Sequence, residues 1–445
     1  MPRIHLDFHG SSPTVQHALL IFVALFLGGC AAPGLEGGIF QGPATVIAPY
    51  GSSPAGEGAQ RQPSPVQRSL AELSANRILV IGVDGNLFTV DPDSGERFYL
   101  TEDASRERRY LQPTWSPAGE WIAWTQANDP GPSKVVVARP NGEDVMEWAA
   151  PFPPFFFHWS PDGRRLAYLS TSLQNRRQTI ALQVIDLSDD SPQPKTLLRG
   201  QPLYFDWAPD GSRILAHRGA DELLLVDMDG AQTRLPVQGA AFAAPQWTET
   251  GPGLVVAVGP ETDLRMVMLD ESAAEQQEIT NFRGMAAFSF SPDGRLFAFV
   301  DTDPDNPAGM NVLGPLTVLD LETGVFRQLS AAPTAGFFWS PDGRSLLFLT
   351  PELDDRRLWL RPQVWDGSQT VQLARFRPTN TFVEQYLRFA DQYARSASYW
   401  SPDSTRIVIT GWNERNQAGV WVQPADGSGP AVKVADGVYG VWSRK

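Results

Sequence analysis

Eight times between residues 115 and 442 the chain returns to the same marker, an aromatic residue that leads into a turn. The copies are Trp115-Ser116-Pro117-Ala118-Gly119, Trp159-Ser160-Pro161-Asp162-Gly163, Trp207-Ala208-Pro209-Asp210-Gly211 and the weak Trp247-Thr248-Glu249-Thr250-Gly251. Phe290-Ser291-Pro292-Asp293-Gly294, Trp339-Ser340-Pro341-Asp342-Gly343, Trp400-Ser401-Pro402-Asp403-Ser404 and a truncated Trp442-Ser443 follow. Subtracting successive marker positions gives spacings of 44, 48, 40, 43, 49, 61 and 42 residues. A unit of this size cannot bury its apolar face alone, so its copies must pack on one another. Apart from the 61, the period is that of one four-stranded propeller blade.

Each unit reads alike. The aromatic ends a short inner strand, and Ser-Pro-Asp-Gly makes the turn. Pro fixes φ, Asp bonds nearby amides, and Gly accepts positive φ. An apolar strand follows, as in Leu166-Ala167-Tyr168-Leu169, then a third strand that commonly ends in Asp, as in Val184-Ile185-Asp186. Gly (39) and Pro (38) are abundant, as many tight turns require. The region opens at Arg77-Ile78-Leu79-Val80-Ile81-Gly82, a second strand with no marker before it. It ends at Val438-Tyr439-Gly440-Val441-Trp442, an inner strand with nothing after it. The two ends make one blade between them, which closes the ring and removes an open sheet edge. The expected fold is all-β, an eight-bladed propeller of four-stranded blades closed by a blade shared between the termini. Seven blades result if the weak unit at Trp247 is absorbed elsewhere. The marker aromatics are expected to fill the space between blades.

One insertion breaks the period. In the 61-residue interval, Phe382, Tyr386, Phe389 and Tyr393 recur at helical spacing, with Thr379 or Thr381 as cap after Pro378. This predicts a short helix over residues 381–395 that lies on the propeller on its aromatic face, as a cover or docking element over one mouth.

Residues 77–445 form the propeller unit, and residues 30–76 are Gly/Pro/Ser-rich, which predicts a flexible tether. Residues 1–29 carry an apolar run from Ala18 to Leu27, too short to span a bilayer and suited to a signal peptide. Leu27-Gly28-Gly29-Cys30 resembles the bacterial lipobox. That resemblance implies cleavage before Cys30 and lipidation of its thiol and amine, a stable anchor facing periplasm or cell surface. Ala31 after the cysteine implies, by the same resemblance, export to an outer membrane. Cys30 is the single cysteine, so the folded part has no thiol for disulfides, metal ligation or nucleophilic catalysis. The net charge of −14 disfavours nucleic-acid partners and electrostatic docking on anionic lipid.

The Trp-Ser-Pro-Asp-Gly repeat followed by an apolar strand resembles the TolB-type, WD-like propeller repeat over about 370 residues, essentially the whole folded part. Six of the eight markers keep the aromatic-Ser/Ala-Pro pattern, and Trp247 and Trp442 depart from it. The resemblance implies a periplasmic propeller, since TolB is the partner of a peptidoglycan-associated lipoprotein. TolB-like proteins carry an α/β domain before the propeller, where this sequence has only a linker. Related propellers gate prolyl oligopeptidase-type hydrolases, whose catalytic domain has no counterpart here before Lys445.

Few residues in the sequence suit catalysis. There is no Gly-x-Ser-x-Gly elbow. Only His158 and His217 follow Cys30, too few for the histidine cluster of a metal-dependent lyase. Asp301, Asp303 and Asp305 alternate on a loop as calcium ligands would, but Asn306 and Val312 stand where an EF-hand needs Gly and Glu. A ligand site is expected in the central funnel, where the inner strands converge, lined by Tyr110, Phe155, Tyr204, Asp206, Arg283, Arg395 and Tyr439. The expected function is a non-catalytic, envelope-anchored scaffold, monomeric and without cofactor, that binds an envelope protein or cell-wall polymer. The alternative is a carbohydrate-active enzyme using carboxylates in the funnel.

Overall fold

The computed structural model describes residue 73 and residues 75–174, 176–241, 243–248, 253–270, 272–273, 276–302 and 314–445. The predicted signal peptide, Cys30, nearly all of the tether, Asp303 and Asp305 lie outside these residues.

The described residues form eight four-stranded antiparallel sheets in a ring, an eight-bladed β-propeller. The weak marker Trp247 ends the inner strand of its own blade, Gln246–Trp247, so the count is eight and not seven. Blade 1 runs from Arg108–Trp115 to Met146–Ala150, and blade 2 from Phe155–Trp159 to Lys195–Gly200. Blades 3 to 7 follow in chain order, with first strands beginning at Leu203, Gln246, Ala286, Gly336 and Arg377. Blade 8 joins the termini: its inner strand is Gly437–Trp442, and the outer three are Ile78–Gly82, Leu87–Val90 and Arg97–Tyr99. Ile78 pairs with Trp442 and Val80 with Gly440, while the Arg77 amide donates to Ser443 Oγ at 3.1 Å. The seam thus uses ordinary ladder bonds, and both strands that would be edges are paired.

The marker turn is built from its own residues. In blade 2, Ser160 Oγ accepts from the Arg165 amide at 2.9 Å and donates to Asp162 Oδ1 at 2.5 Å. Asp162 Oδ1 also accepts from the Arg164 amide, and the Gly163 amide donates to the Ser160 carbonyl. Gly163 has a φ of +69°, which a side chain would strain. The same Ser and Asp bonds recur at Ser291 and Asp293, Ser340 and Asp342, and Ser401 and Asp403.

Three of the marker tryptophans also join the blades. Trp207 Nε1 donates to the His158 carbonyl at 3.0 Å, Trp339 Nε1 to the Ser289 carbonyl at 3.2 Å, and Trp400 Nε1 to the Phe338 carbonyl at 2.9 Å. Each acceptor is the residue just before the preceding blade's marker. The indole therefore bonds one inner strand to the next while its ring fills the gap between sheets. Trp159, Trp207, Trp247, Trp400 and Trp442 are all buried.

Candidate functional site

The insertion does not stop at a mouth of the ring; it enters the channel. Blade 7 starts its inner strand at Arg377–Pro378 and regains it only at Trp400, which bridges to Ile407. Between them, helix α1 (Asn380–Gln385), a 3-10 turn (Leu387–Phe389) and helix α2 (Ala390–Ser396) pack against the inner strands. The expected single helix is thus two short ones. Thr379 is the cap, its Oγ1 accepting from the Phe382 amide at 3.1 Å. Because the insertion leaves the chain from an innermost strand, the shortest route for its apolar face leads into the channel, not onto a rim. Phe382, Tyr386 and Tyr393 are buried, whereas Phe389, the fourth residue of the expected stripe, is on the outside at 37% exposure. The 3-10 turn shifts the helical phase at that residue.

Tyr386 stacks on Tyr439 of blade 8, with ring centroids 3.8 Å apart and an interplanar angle of 7°. Tyr386 also meets Tyr393 at 4.8 Å, and Tyr399 Oη lies 3.4 Å from Tyr439 Oη. Burial raises all four phenols, so they stay protonated. Across the channel, Tyr393 packs edge-on to Phe156 of blade 2 and donates from its hydroxyl to Gln112 Oε1 of blade 1. Both receiving residues sit where the ladder register shifts, and both have positive φ, +56° at Gln112 and +50° at Phe156. A bulge re-aims one side chain, and here two neighbouring inner strands each turn one residue toward the insertion. On blade 6, Gly336 leaves room for α2: a Cβ there would stand 3.0 Å from Ala390 Cβ.

The C-terminal end of α2 and the marker residues of blades 1, 2, 5, 6 and 7 enclose a cavity of about 400 Å³ on the axis at the Trp-Ser-Pro mouth. His158, Arg395, Ser396 and Arg444 are on its wall. Arg395 Nη2 lies 3.2 Å from Asp206 Oδ2, with both side chains largely buried. Asp206 Oδ2 also accepts from the Trp247 amide at 2.9 Å, and Arg444 donates to the Arg395 carbonyl. His158 Nδ1 stands 4.0 Å from Asp206 Oδ1, beyond hydrogen-bond range. Burial, and then the Arg395 and Arg444 charges, hold the imidazole well below its usual pKa, so it is neutral.

The seven residues expected in the funnel are dispersed. Arg395 lines this cavity with Asp206 paired behind it, and Tyr439 sits deeper, in the tyrosine cluster. Tyr110 is buried near the start of its strand, where its hydroxyl donates to Asp103. Phe155 and Tyr204 are half-buried, and Arg283 is exposed, its amide donating to Asp301 Oδ2 at 3.0 Å. The bulge turns Phe156, not Phe155, onto the insertion. That accounts for the one-residue offset from a strict alternation. Arg444 is the wall residue that pattern reasoning passed over, while His158 enters the sequence reading only as a metal candidate. Arg444 occupies the position where complete markers have Pro, a departure visible in the sequence itself. Among the described residues no cluster of three metal-ligating side chains occurs. His217 is buried in blade 3, Nδ1 3.0 Å from the Ala243 carbonyl oxygen.

At the other mouth, α1 and the hairpins of blades 6 and 7 line a groove of about 510 Å³, with Arg357, Arg377, Arg388, Glu384 and Trp412 on its walls. The Arg377 guanidinium stacks over Trp412 at 4.5 Å.

No sequence-family model and no curated protein matches the chain. Solved structures share the propeller fold. A eukaryotic initiation factor superposes with a TM-score of 0.54 at 10% identity, over 83% of this chain and 98% of that one. An oligogalacturonate lyase in complex with manganese gives 0.43 at 16%, over 60% of this chain and 79% of that one. TolB from Acinetobacter baumannii gives 0.37 at 16%, over 71% and 85%. At these identities the likeness is one of fold, and function has to be argued from the site.

Proposed function

We propose that the chain is a non-catalytic binding propeller of the cell envelope, anchored through a lipidated Cys30 and presenting a mouth of its ring to an envelope protein or cell-wall polymer. The observation that carries this reading is the filled channel. Propeller channels are natural ligand sites, yet here the chain's own tyrosine-rich insertion occupies the interior. What the ring offers a partner is its two faces and the cavity left at the Trp-Ser-Pro mouth. Asp206, the carboxylate that meets that cavity through Arg395, is held by Arg395 and the Trp247 amide, which suits an anchoring role. The lipobox-like sequence at Cys30 and the TolB-like repeat support an envelope location.

The test is affinity capture from host envelope extract with the full chain, beside a Cys30→Ser variant, read by mass spectrometry. One envelope protein or wall fragment retained in stoichiometric amount is the expected result. Turnover of a polysaccharide or peptide, abolished by Asp206→Asn, would replace this reading with an enzymatic one.

A further inference from the structure

The cavity at the Trp-Ser-Pro mouth has features that structural packing does not require. Two polar atoms of its wall residues, His158 Nδ1 and Ser396 Oγ, are buried with no hydrogen-bond partner among the described residues, and His158 Nδ1 stands 4.0 Å from Asp206 Oδ1. A buried polar atom left unpaired is costly to the fold. Two guanidinium groups, Arg395 and Arg444, stand at the same wall of a chain whose net charge is −14. The Asp206 carboxylate lies behind Arg395. His158 is neutral. Indole and proline surfaces from the markers make up the rest of the lining.

From this arrangement we infer that the cavity is a binding site for a monocarboxylate, with the carboxylate drawn to Arg395 and Arg444 and its apolar portion against the marker tryptophans and prolines. Guanidinium groups match a carboxylate in geometry and charge. A phosphate dianion would place a second charge near buried Asp206, where a low dielectric makes like-charge repulsion costly. The volume of about 400 Å³ is at the small end for ligand pockets and holds an amino-acid-sized or dipeptide-sized acid. The acid can be a free small molecule or the C-terminal carboxylate of a partner polypeptide. This inference rests on the binding reading above and deepens it by naming the group recognised.

The experiment is calorimetric titration of the full-length chain with acetate, N-acetylphenylalanine and N-acetyl-Ala-Ala, with the C-terminal amides of the latter two, and with inorganic phosphate. At least one free acid should bind with a dissociation constant of about 1 mM or tighter, and its amide at least about tenfold more weakly. Phosphate should bind more weakly than the best acid. Arg444→Gln, at an exposed position, should lower acid affinity about tenfold, and Arg395→Lys should lower it less. Arg377→Gln at the opposite groove should leave it unchanged. Affinity that grows with peptide length at a free C-terminus assigns the site to a polypeptide end, and affinity confined to the shortest acids assigns it to a small molecule. No saturable acid binding, equal binding of acid and amide, or an unaltered Arg444→Gln variant overturns the inference. If that happens while wild type and Arg444→Gln still capture the same envelope partner, the binding reading stands and only the carboxylate site falls.

Discussion

The marker turns and the channel insertion solve the same problem, holding irregular backbone inside a ring of sheets, in opposite ways. In the Trp-Ser-Pro-Asp-Gly turns nearly every polar contact falls within five residues: Ser160 with Asp162 and Arg165, Asp162 with Arg164, Gly163 with Ser160. The insertion draws its contacts from afar, with Tyr393 reaching Gln112, Tyr386 reaching Tyr439 and Arg395 reaching Asp206. A local turn survives the loss of one copy, because most of the polar contacts of each turn are its own. The insertion has no second copy, and its partners are spread over blades 1, 2, 3, 6 and 8. The first should therefore yield small, similar effects when altered, and the second large and unequal ones.

The largest effect is expected at the tyrosine stack. Tyr386→Ala removes a buried ring at the centre of the insertion and leaves a cavity among Tyr393, Tyr439 and α1. A loss of about 3–5 kcal/mol is expected, the range for truncating a buried aromatic, read from the midpoint of denaturant unfolding. A loss below about 1 kcal/mol would mean that the insertion packs loosely and that the contrast with the turns fails.

Asp391, in the first turn of α2, gives the insertion a pH dependence opposite to that of the turns. Burial pushes its carboxyl up to about 6, against an ordinary value of 3.8. Between those values the folded state binds more protons than the unfolded one, so stability falls as pH rises through this window. At pH 7 the charged carboxylate costs the fold about 1–2 kcal/mol, less than the full shift would give because the residue keeps partial contact with solvent. Asp391→Asn should raise stability at pH 7 by that amount, read from the unfolding midpoint, and leave it nearly unchanged at pH 4. In the turns the direction is reversed. Burial alone would raise Asp403 and Asp293, but Ser and backbone donors outweigh it and hold both below their usual range. Their contribution is lost as pH falls through the folded value.

These two behaviours also explain what can be read in advance. The turns specify themselves, so their period, the eight blades and the shared terminal blade are visible in the spacing of Trp, Pro and Gly. The insertion's aromatic stripe is visible too, but its destination depends on Gly336, Gln112 and Phe156. These residues are distant from it in the chain, and only the closed ring brings them to its side. No local rule announces that residues 112 and 156 will adopt positive φ, since neither is Gly and each sits in an inner strand. The shift at 156 is why Phe156, not Phe155, meets the insertion. Arg444 is legible in principle as the residue that replaces Pro in the last marker, and its meaning emerges only beside Arg395.

A smaller effect separates a turn glycine from the serine that replaces it in one marker. Gly163→Ala forces a side chain into a φ of +69°, costing about 1–2 kcal/mol. Ser404 already carries that strain at +61°, and its Oγ accepts from the Asp342 amide at 3.2 Å. Ser404→Gly should relieve the backbone and lose that bond, leaving a net change within about 0.5 kcal/mol. Thermal unfolding of both variants checks the pair.

The finest test lies in the markers themselves. Trp207 and Trp247 are both fully buried inner-strand tryptophans of adjacent blades, yet only Trp207 donates its indole N–H, to the His158 carbonyl. Trp247 Nε1 has no partner among the described residues, and its backbone amide goes to Asp206 instead. Replacing each with Phe removes a similar volume, so the packing loss cancels in the comparison. What remains is one hydrogen bond at Trp207 against relief of one buried unpaired donor at Trp247. Trp207→Phe should therefore be the more costly by at least about 1 kcal/mol, read from paired denaturant unfolding curves. Equal losses would show that the indole contributes through packing alone, and that the blades are joined by shape rather than by the recurring bond between neighbouring inner strands.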